Sequence, residues 1–324
     1  MNDADFQKGA HTLLLTCGQL LKTEMALILT DGATKEVGEI LEAFAIKHDL
    51  KVKHILIDSL EIHGKEPDET IAKEMLDYDL ILGLTSYSMA HTQARKAATD
   101  KGARYLSLPD YDLSVLASPA LQADFEAQEK VAAKISSILE GASSAVVESA
   151  LGTKLNLDLR TRPANNCVGI LREKGSLSSP PDMEVNIAPI ENGSHGKVCI
   201  DGSIPHPLFG VLEKPVYLIV ENGAITSFES EDKKLVDDLN TLFDKFPANA
   251  KILAEFGIGL NPKAKLCGRM LEDEGCLGTI HFGFGSNATI GGMNSVSFHV
   301  DFIMRHATII IDDQKIMEDG KLLI

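Results

Sequence analysis

The stretch YDLILGLTSYSMAHTQARKAATDKG, residues 78–102, places an apolar run, a polar turn and a helical segment in direct succession. The apolar run predicts a buried strand. The segment after the turn predicts a helix that ends at Gly102, since glycine readily adopts the left-handed cap conformation. Further strands are predicted at EMALILTD (24–31), KVKHILIDS (51–59) and ARYLSLP (103–109), each followed by a helical segment. This alternation is typical of a parallel sheet, so we expect a Rossmann-like α/β domain with helices on both faces of its sheet.

The polar turn of this stretch is where a ligand would approach, because open parallel sheets bind ligands beyond the carboxyl ends of their strands. In TSYSMAHT (85–92), Ser86, Ser88 and His91 are therefore candidate substrate-binding residues. The alternative is that Ser88 caps the following helix and that His91 is a surface residue. No GxGxxG and no GxxxxGK[ST] segment follows any predicted strand, so the sequence carries no nucleotide-binding fingerprint.

The second half of the chain has a different pattern. After about residue 151, short strands separated by Gly, Pro and Asn turns replace the helical spacing, and DKKLVDDLNTLFDKF is the one clear helix. This pattern predicts a mostly antiparallel α+β domain. The segment GASSA (141–145) consists of small residues typical of a link, so we predict an α/β domain at residues 1–145 and an α+β domain at 146–324.

Composition and charge exclude several classes of partner. The formal net charge of −16 disfavours nucleic acids and anionic membrane surfaces, which both bind Lys/Arg-rich proteins. No apolar run approaches the ~20 residues of a membrane-spanning helix, and the first residues lack a signal-peptide layout, so we expect a cytoplasmic protein. The five cysteines include no CxxC pair, which disfavours a zinc finger or a disulfide framework.

The segment GTIHFGFGSNATIGGMNSVSFHVDF (278–302) carries the main candidates for chemistry. Alternate residues of a strand share a face, so HVD projects His299 and Asp301 to one side, and His281 lies on the preceding strand. Two histidines and a carboxylate suit a divalent transition metal. The alternative is a hydrogen-bonded pair inside an ordinary sheet.

Two glutamates lie in similar apolar surroundings. Glu184 is in PPDMEVNIAP and Glu255 is in ILAEFGIGLNP. A buried carboxylate is costly unless it is paired or binds a metal, so both become candidate metal ligands and candidate catalytic residues. Asp273 and Glu274, in EDEG, are weaker candidates because the segment resembles a turn.

The segments SPPDMEV, AEFGIGLNP, DEGCLGTIHFGFG and SFHVDFIM, in this order, resemble the aminopeptidase T/S family of metallopeptidases, which includes leucyl aminopeptidase T-like enzymes. The resemblance implies a two-metal cluster of Zn, Co or Mn on five residues, Glu184, Glu255, His281, His299 and Asp301. It also implies a homodimer. Two departures stand out: Ala288 occupies the position of a family tyrosine, and the chain is shorter than a typical family aminopeptidase.

The same C-terminal segments also resemble the dihydroxypyridine ring-cleaving dioxygenases, a shorter branch whose N-terminal half is similar to TSYSMAHTQAR. This resemblance implies one Fe(II) on His281, His299 and Asp301. His91 would then be an acid/base, beside substrate-binding Ser86 and Ser88.

Three functions follow from these patterns. The preferred one is an aminopeptidase-type hydrolase, in which metal-activated water attacks an N-terminal peptide or amide bond, because both glutamates are retained. The first alternative is an Fe(II) ring-cleaving dioxygenase acting on a dihydroxypyridine-like aromatic. The second is a small-molecule binding protein without turnover. The expected partner is a small molecule or a short peptide.

Overall fold

A computed structural model describes residues 2–324. The helices, in chain order, are α1 (Asp3–His11), α2 (Lys35–Lys47), α3 (Glu69–Glu74), α4 (Gln93–Asp100), α5 (Leu113–Leu116), α6 (Phe125–Leu139), α7 (Lys233–Phe243) and α8 (Met270–Asp273). A π-helical segment covers Thr12–Cys17, and short 3-10 turns cover Met75–Asp77, Pro119–Gln122 and Ala248–Lys251. No helix among residues 2–324 is long and apolar enough to cross a membrane.

The strands form three sheets. In chain order they are β1 (Met25–Thr30), β2 (Lys51–Leu56), β3 (Leu80–Leu84), β4 (Arg104–Ser107), β5 (Ser144–Glu148), β6 (Lys154–Asp158), β7 (Ala164–Cys167), β8 (Leu177–Ser178), β9 (Glu184–Ile187), β10 (His195–Ile200), β11 (Ser203–Ile204), β12 (Gly210–Val211), β13 (Val216–Glu221), β14 (Ala224–Ser230), β15 (Leu253–Gly259), β16 (Thr279–Gly285), β17 (His299–Arg305), β18 (Thr308–Ile311), β19 (Gln314–Glu318) and β20 (Lys321–Leu322).

The first compact unit comprises residues 1–125 and 169–181. Its sheet has the order β2-β1-β3-β4-β8, and every pair in it is parallel. Strands β3 and β4 are buried along their whole length, as apolar strands covered on both faces should be. Gly102 follows α4 with a φ of +112°, so the predicted left-handed glycine cap is present.

The second unit comprises residues 126–168 and 182–324. It holds an eight-stranded sheet of order β14-β13-β10-β6-β5-β18-β19-β20 and a seven-stranded sheet of order β12-β11-β17-β16-β15-β9-β7. All pairs in both sheets are antiparallel. An α/β parallel-sheet part and an α+β antiparallel part were expected, and this fold class is confirmed.

The two units differ from the expected division at residue 145 in two places. Residues 126–145, including most of α6 and the start of β5, belong to the second unit. Residues 169–181 return to the first unit, where β8 pairs with β4 through Tyr105 and Leu177. Sequence patterns report local structure only, so a chain that leaves a unit and later adds a strand to its sheet is not visible in them.

Candidate metal centre

One face of the seven-stranded sheet carries all five predicted ligands. They lie on four adjacent strands: Glu184 on β9, Glu255 on β15, His281 on β16, and His299 and Asp301 on β17. Residues i and i+2 of a strand share a face, so AEFGIG and IHFGFG present polar residues and glycines on one side. Phenylalanines fill the opposite side, where Phe256 stacks on Phe282 at 5.8 Å and Phe284 meets Phe302 edge-on at 5.5 Å. The aromatic core anchors the strands that hold the polar face.

Glycines on the polar face make room for the imidazoles. Gly257 pairs with His281, and a Cβ at this glycine would lie 2.0 Å from the His281 ring. Gly283 pairs with both Glu255 and Asp301, and a Cβ there would lie 2.7 Å from the His299 ring. At distances this short any side chain at either position would force an imidazole to shift, so the glycines are needed for this arrangement of the site.

The five side chains converge. Nε2 of His281 lies 3.0 Å from Oε2 of Glu184 and 3.7 Å from Oε1 of Glu255. Nε2 of His299 lies 3.3 Å from Oε2 of Glu255 and 3.2 Å from Oδ1 of Asp301. Four of the five residues are buried, and about a third of the His299 side chain is exposed. The centre is therefore open to solvent mainly beside His299.

Two histidine-containing groups of ligand atoms emerge among the described residues, each with all its atoms within 4.8 Å of one another. One contains Glu184, Glu255 and His281, and the other contains Glu255, His299 and Asp301. Glu255 belongs to both. Neither group contains both histidines, so the expected set of His281, His299 and Asp301 is not assembled as a single cluster; Glu255 lies between its members.

The donor set fits a divalent transition metal. Imidazole and carboxylate donors are the ligands that iron, zinc and manganese accept in proteins. Oε2 of Glu184 is buried, forms no hydrogen bond within the described residues and faces Nε2 of His281. A buried carboxylate is costly unless its charge is balanced, and a cation would add to the compensation that the His281 imidazole gives.

Ion pairing between the imidazoles and the carboxylates determines the pKa shifts in the centre. Burial alone lowers the pKa of His281, but the carboxylates of Glu184 and Glu255 outweigh it and hold this pKa well above its usual range. In the same way, Asp301 and Glu255 outweigh burial at His299 and raise its pKa. Burial acts to raise the pKa of Asp301, yet the two imidazoles bring it down to about 2. Without a cation, protonated imidazoles thus neutralise part of the negative charge.

A loop between β16 and β17 orients His299. The backbone oxygen of Ser286 lies 3.0 Å from Nδ1 of His299, which leaves Nε2 for the centre, an arrangement usual for metal-binding histidines. Glu191 holds the same loop by accepting hydrogen bonds from Asn287 Nδ2 at 3.1 Å and from the Met293 backbone N–H at 2.7 Å. Arg162 pairs with Glu191 and donates to the Gly291 backbone oxygen at 2.6 Å.

Asp182 and Asn186 were missed from the sequence, and Glu274 was named there only as a weaker candidate. A third group within 4.8 Å contains Asp182, Glu184 and Glu274. Burial, followed by the neighbouring carboxylates, raises the pKa of Asp182 and that of Glu274 well above their usual range. Asn186 is also on the polar face. Its position two residues after Glu184 is a signal that strand alternation could have used.

The three predicted substrate-binding residues lie in the first unit, just beyond the carboxyl end of β3. The backbone N–H of Ser86 donates to Oδ2 of the buried Asp31 at 2.7 Å. Ser88 donates its backbone N–H to Nδ1 of His63 at 3.1 Å, and its Oγ lies 3.2 Å from Oγ of Ser107. His91 is exposed. Thr92, rather than Ser88, caps α4, by accepting the Arg95 backbone N–H at 3.1 Å. Substrate binding by Ser86, Ser88 and His91 stays a prediction.

Comparison with known proteins gives a consistent result. A model of the NicX family, described as 2,5-dihydroxypyridine 5,6-dioxygenase, matches residues 15–324. A curated 2,5-dihydroxypyridine 5,6-dioxygenase of Pseudomonas putida KT2440 is 25% identical over 198 residues, which cover 57% of this chain and 56% of that relative. The match thus spans little more than half the length of the curated relative.

Two solved structures share the fold. A 2,5-dihydroxypyridine dioxygenase from Pseudomonas putida KT2440 superposes with a TM-score of 0.82 at 20% identity, covering 100% of this chain and 98% of that one. Wild-type AmpT from Thermus thermophilus gives a TM-score of 0.71 at 15% identity, with 99% of each chain covered. At these identities the likeness establishes the fold alone.

These findings correct the preferred function. An aminopeptidase-type hydrolase was expected because Glu184 and Glu255 are retained, but the family that matches nearly the whole chain is described as a dioxygenase. Retained glutamates were a misleading criterion, because carboxylates beside a single ion can also support its ligands or contact the substrate without binding a second metal. The absence of the family tyrosine at Ala288 and the short chain were the better indicators. The chain belongs to the NicX family, described as 2,5-dihydroxypyridine 5,6-dioxygenase.

Proposed function

We propose that this chain is a non-haem Fe(II) dioxygenase that opens the ring of a dihydroxypyridine-like aromatic, with both atoms of O₂ entering the product. The buried His/Asp/Glu donor set on one sheet face is the observation that carries the proposal, together with membership of the NicX family. His281, His299 and Asp301 would hold the ion. Glu255, which belongs to both ligand groups and lies between these residues, and Glu184, which lies beside His281, would complete the set.

The ion and the residues around it would have different roles in the reaction. Bound Fe(II) would supply binding of O₂ and the electron transfer that a closed-shell aromatic and triplet O₂ require. The Ser286 carbonyl keeps the His299 ring aimed at the centre, and the aromatic core holds β15, β16 and β17 in register. Because four of the five donors are buried, bulk water is excluded from most of the centre, and the side near His299 is where a substrate could enter.

Several expectations from the sequence belong to this proposal. His91 would act as an acid/base, and Ser86 and Ser88 would contact the substrate. The partner would be a small aromatic molecule, and the assembled protein would be a homodimer. A His91→Ala variant with full metal content and reduced kcat would support the role of this histidine, whereas unchanged kinetics would remove it.

The proposal is tested by metal content and oxygen uptake. Protein purified without oxygen and loaded with Fe(II) should consume O₂ when 2,5-dihydroxypyridine is added, with loss of the aromatic absorbance. His299→Ala should lose both metal and activity. His306→Ala is a matched control, because His306 is exposed and pairs with Asp319 at 3.1 Å. Iron-loaded wild-type protein that consumes no O₂ with any dihydroxypyridine would contradict the proposal.

A further inference from the structure

Asn186 lies beside the metal centre without belonging to the ligand set. It is two residues after Glu184 in β9, on the same face of the strand, and it is only 3% exposed. Its neighbour across the sheet is Gly257, the glycine that makes room for the His281 ring. A buried amide at this point must satisfy its hydrogen bonds inside the protein.

Two amides form a chain that ends on Glu184. Nδ2 of Asn186 donates to Oε1 of Glu184 at 2.6 Å, and Nδ2 of Asn165, on β7, donates to Oδ1 of Asn186 at 3.0 Å. An ionised carboxylate can only accept hydrogen bonds, so Asn186 must present its NH₂ group to Glu184 and its oxygen to Asn165. The hydrogen bonds therefore run in one direction, from Asn165 to Asn186 to Glu184, and Asn165 fixes the orientation of the Asn186 amide.

This pair of hydrogen bonds leaves one oxygen of the Glu184 carboxylate free to face the metal centre. Oε1 is engaged by Asn186, while Oε2 forms no hydrogen bond within the described residues and lies 3.0 Å from Nε2 of His281. A carboxylate held in this way has a single oxygen aimed at the ligand group. We infer that Asn186, with Asn165 behind it, is a positioning residue that makes Glu184 a one-oxygen ligand of the metal centre. The inference rests on the proposed function.

Asn165 also reaches the loop that orients His299. Its Nδ2 lies 3.1 Å from the backbone oxygen of Ile290, in the segment between β16 and β17. The Ser286 carbonyl that faces Nδ1 of His299 belongs to the same segment. Asn165 thus joins the Glu184 side of the centre to the loop on the His299 side, and its loss should disturb both.

The test measures metal affinity rather than turnover. Asn186→Leu keeps a similar side-chain volume and removes both hydrogen bonds. Asn165→Ala removes the bonds to Asn186 and to the Ile290 backbone oxygen but leaves the bond between Asn186 and Glu184 in place. Asn166→Ala is the matched control, because Asn166 is the next residue of the same strand and is exposed. For each protein, the Fe(II) dissociation constant is measured anaerobically by competition with a chelator, beside the thermal unfolding midpoint of the metal-free form.

Hydrogen-bond partners of metal ligands typically contribute 10–100-fold to affinity, so Asn186→Leu should weaken Fe(II) binding by about that factor. Asn165→Ala should weaken it less, because Asn186 keeps its bond to Glu184, and Asn166→Ala should bind as the wild type does. A metal-free unfolding midpoint near the wild-type value separates positioning from a general loss of structure.

Each other outcome is decisive. Wild-type affinity in a folded Asn186→Leu protein overturns the inference while leaving the proposed function intact. If Asn186→Leu does not fold, Asn165→Ala decides, and unchanged affinity in that variant overturns the inference. If the wild-type protein itself binds no Fe(II), the proposed function and the inference fall together.

Discussion

Oε2 of Glu255 lies 3.3 Å from Nε2 of His299. The other oxygen of the same carboxylate lies 3.7 Å from Nε2 of His281, so Glu255 joins the two histidine-containing ligand groups. Substitution of a residue that belongs to both of these groups should weaken metal binding more than substitution of a residue that belongs to only one of them.

We expect Glu255→Gln to weaken Fe(II) binding at least about tenfold more than Glu184→Gln, because it removes a negative donor from both groups. Chelator competition measures both dissociation constants. Equal losses in the two variants would show that Glu255 is not shared. Glu229→Gln, which changes an exposed glutamate paired with Lys197, serves as a control for the loss of one negative charge.

The glycine opposite Glu255 gives a steric prediction. Gly283→Ala would place a Cβ 2.7 Å from the His299 ring and 2.8 Å from Oδ1 of Asp301, so one of these side chains must move. Overpacking of this kind costs about 1–3 kcal/mol, and here it should also reduce metal content. Elemental analysis and thermal unfolding measure both effects. Gly32→Ala is the control, since a Cβ there meets nothing within 4 Å. Full metal content in Gly283→Ala would contradict the steric argument.

Removal of the metal should lower stability. A ligand that binds only the folded state stabilises it by about 2.7 kcal/mol when its concentration is 100 times its dissociation constant. The unfolding midpoint should therefore rise with Fe(II) in the wild-type protein and in His306→Ala, and fall back when a chelator is added. His281→Ala should show a much smaller rise. A midpoint independent of metal in the wild-type protein would argue against a folded-state site.

The ion pair behind the β16–β17 loop gives a stability prediction. Arg162 is 7% exposed and pairs with Glu191, which also holds Asn287 and the Met293 backbone. Removal of one partner from a buried pair costs about 3–5 kcal/mol, because the other charge is left buried without compensation. Glu191→Ala should show this loss in urea unfolding and should make the loop easier to cleave by protease. A change below about 0.5 kcal/mol, as expected for an ordinary surface substitution, would mean that the pair does not support the loop.

Cys267 gives a prediction about pH. Cys267 as a whole residue is exposed, but its thiol is partly desolvated, and this burial, followed by the nearby Asp273 carboxylate, raises the thiol pKa to about 11. Its alkylation rate should therefore climb about tenfold per pH unit beyond pH 9, without the plateau that a free thiol shows there. The contribution to stability has the matching sign: it is present below the ordinary thiol pKa near 9 and is lost as pH rises through 11. Iodoacetamide labelling with a Cys267→Ser control measures the rate, and a plateau near pH 9 would contradict the shift.

Much of the local structure was readable from the sequence. The apolar run before TSYSMAHT predicted β3, and Gly102 ends the following helix with a positive φ. Strand alternation also predicted that His299 and Asp301 share a face, and their 3.2 Å separation agrees with that. Both patterns depend on chain neighbours, whose relative positions are set by strand and helix geometry alone.

Other features depend on contacts between distant segments. Glu184, Glu255 and His281 come close together only in the observed register of β9, β15 and β16. That register depends on many side-chain contacts at once. The same holds for the Asn165–Asn186 chain and for the return of residues 169–181 to the parallel sheet. The sequence by itself determined the fold class and the candidate metal ligands, because periodicity and side-chain chemistry are local. Only the tertiary structure decided how they group around Glu255, because that grouping follows from the packing of four strands.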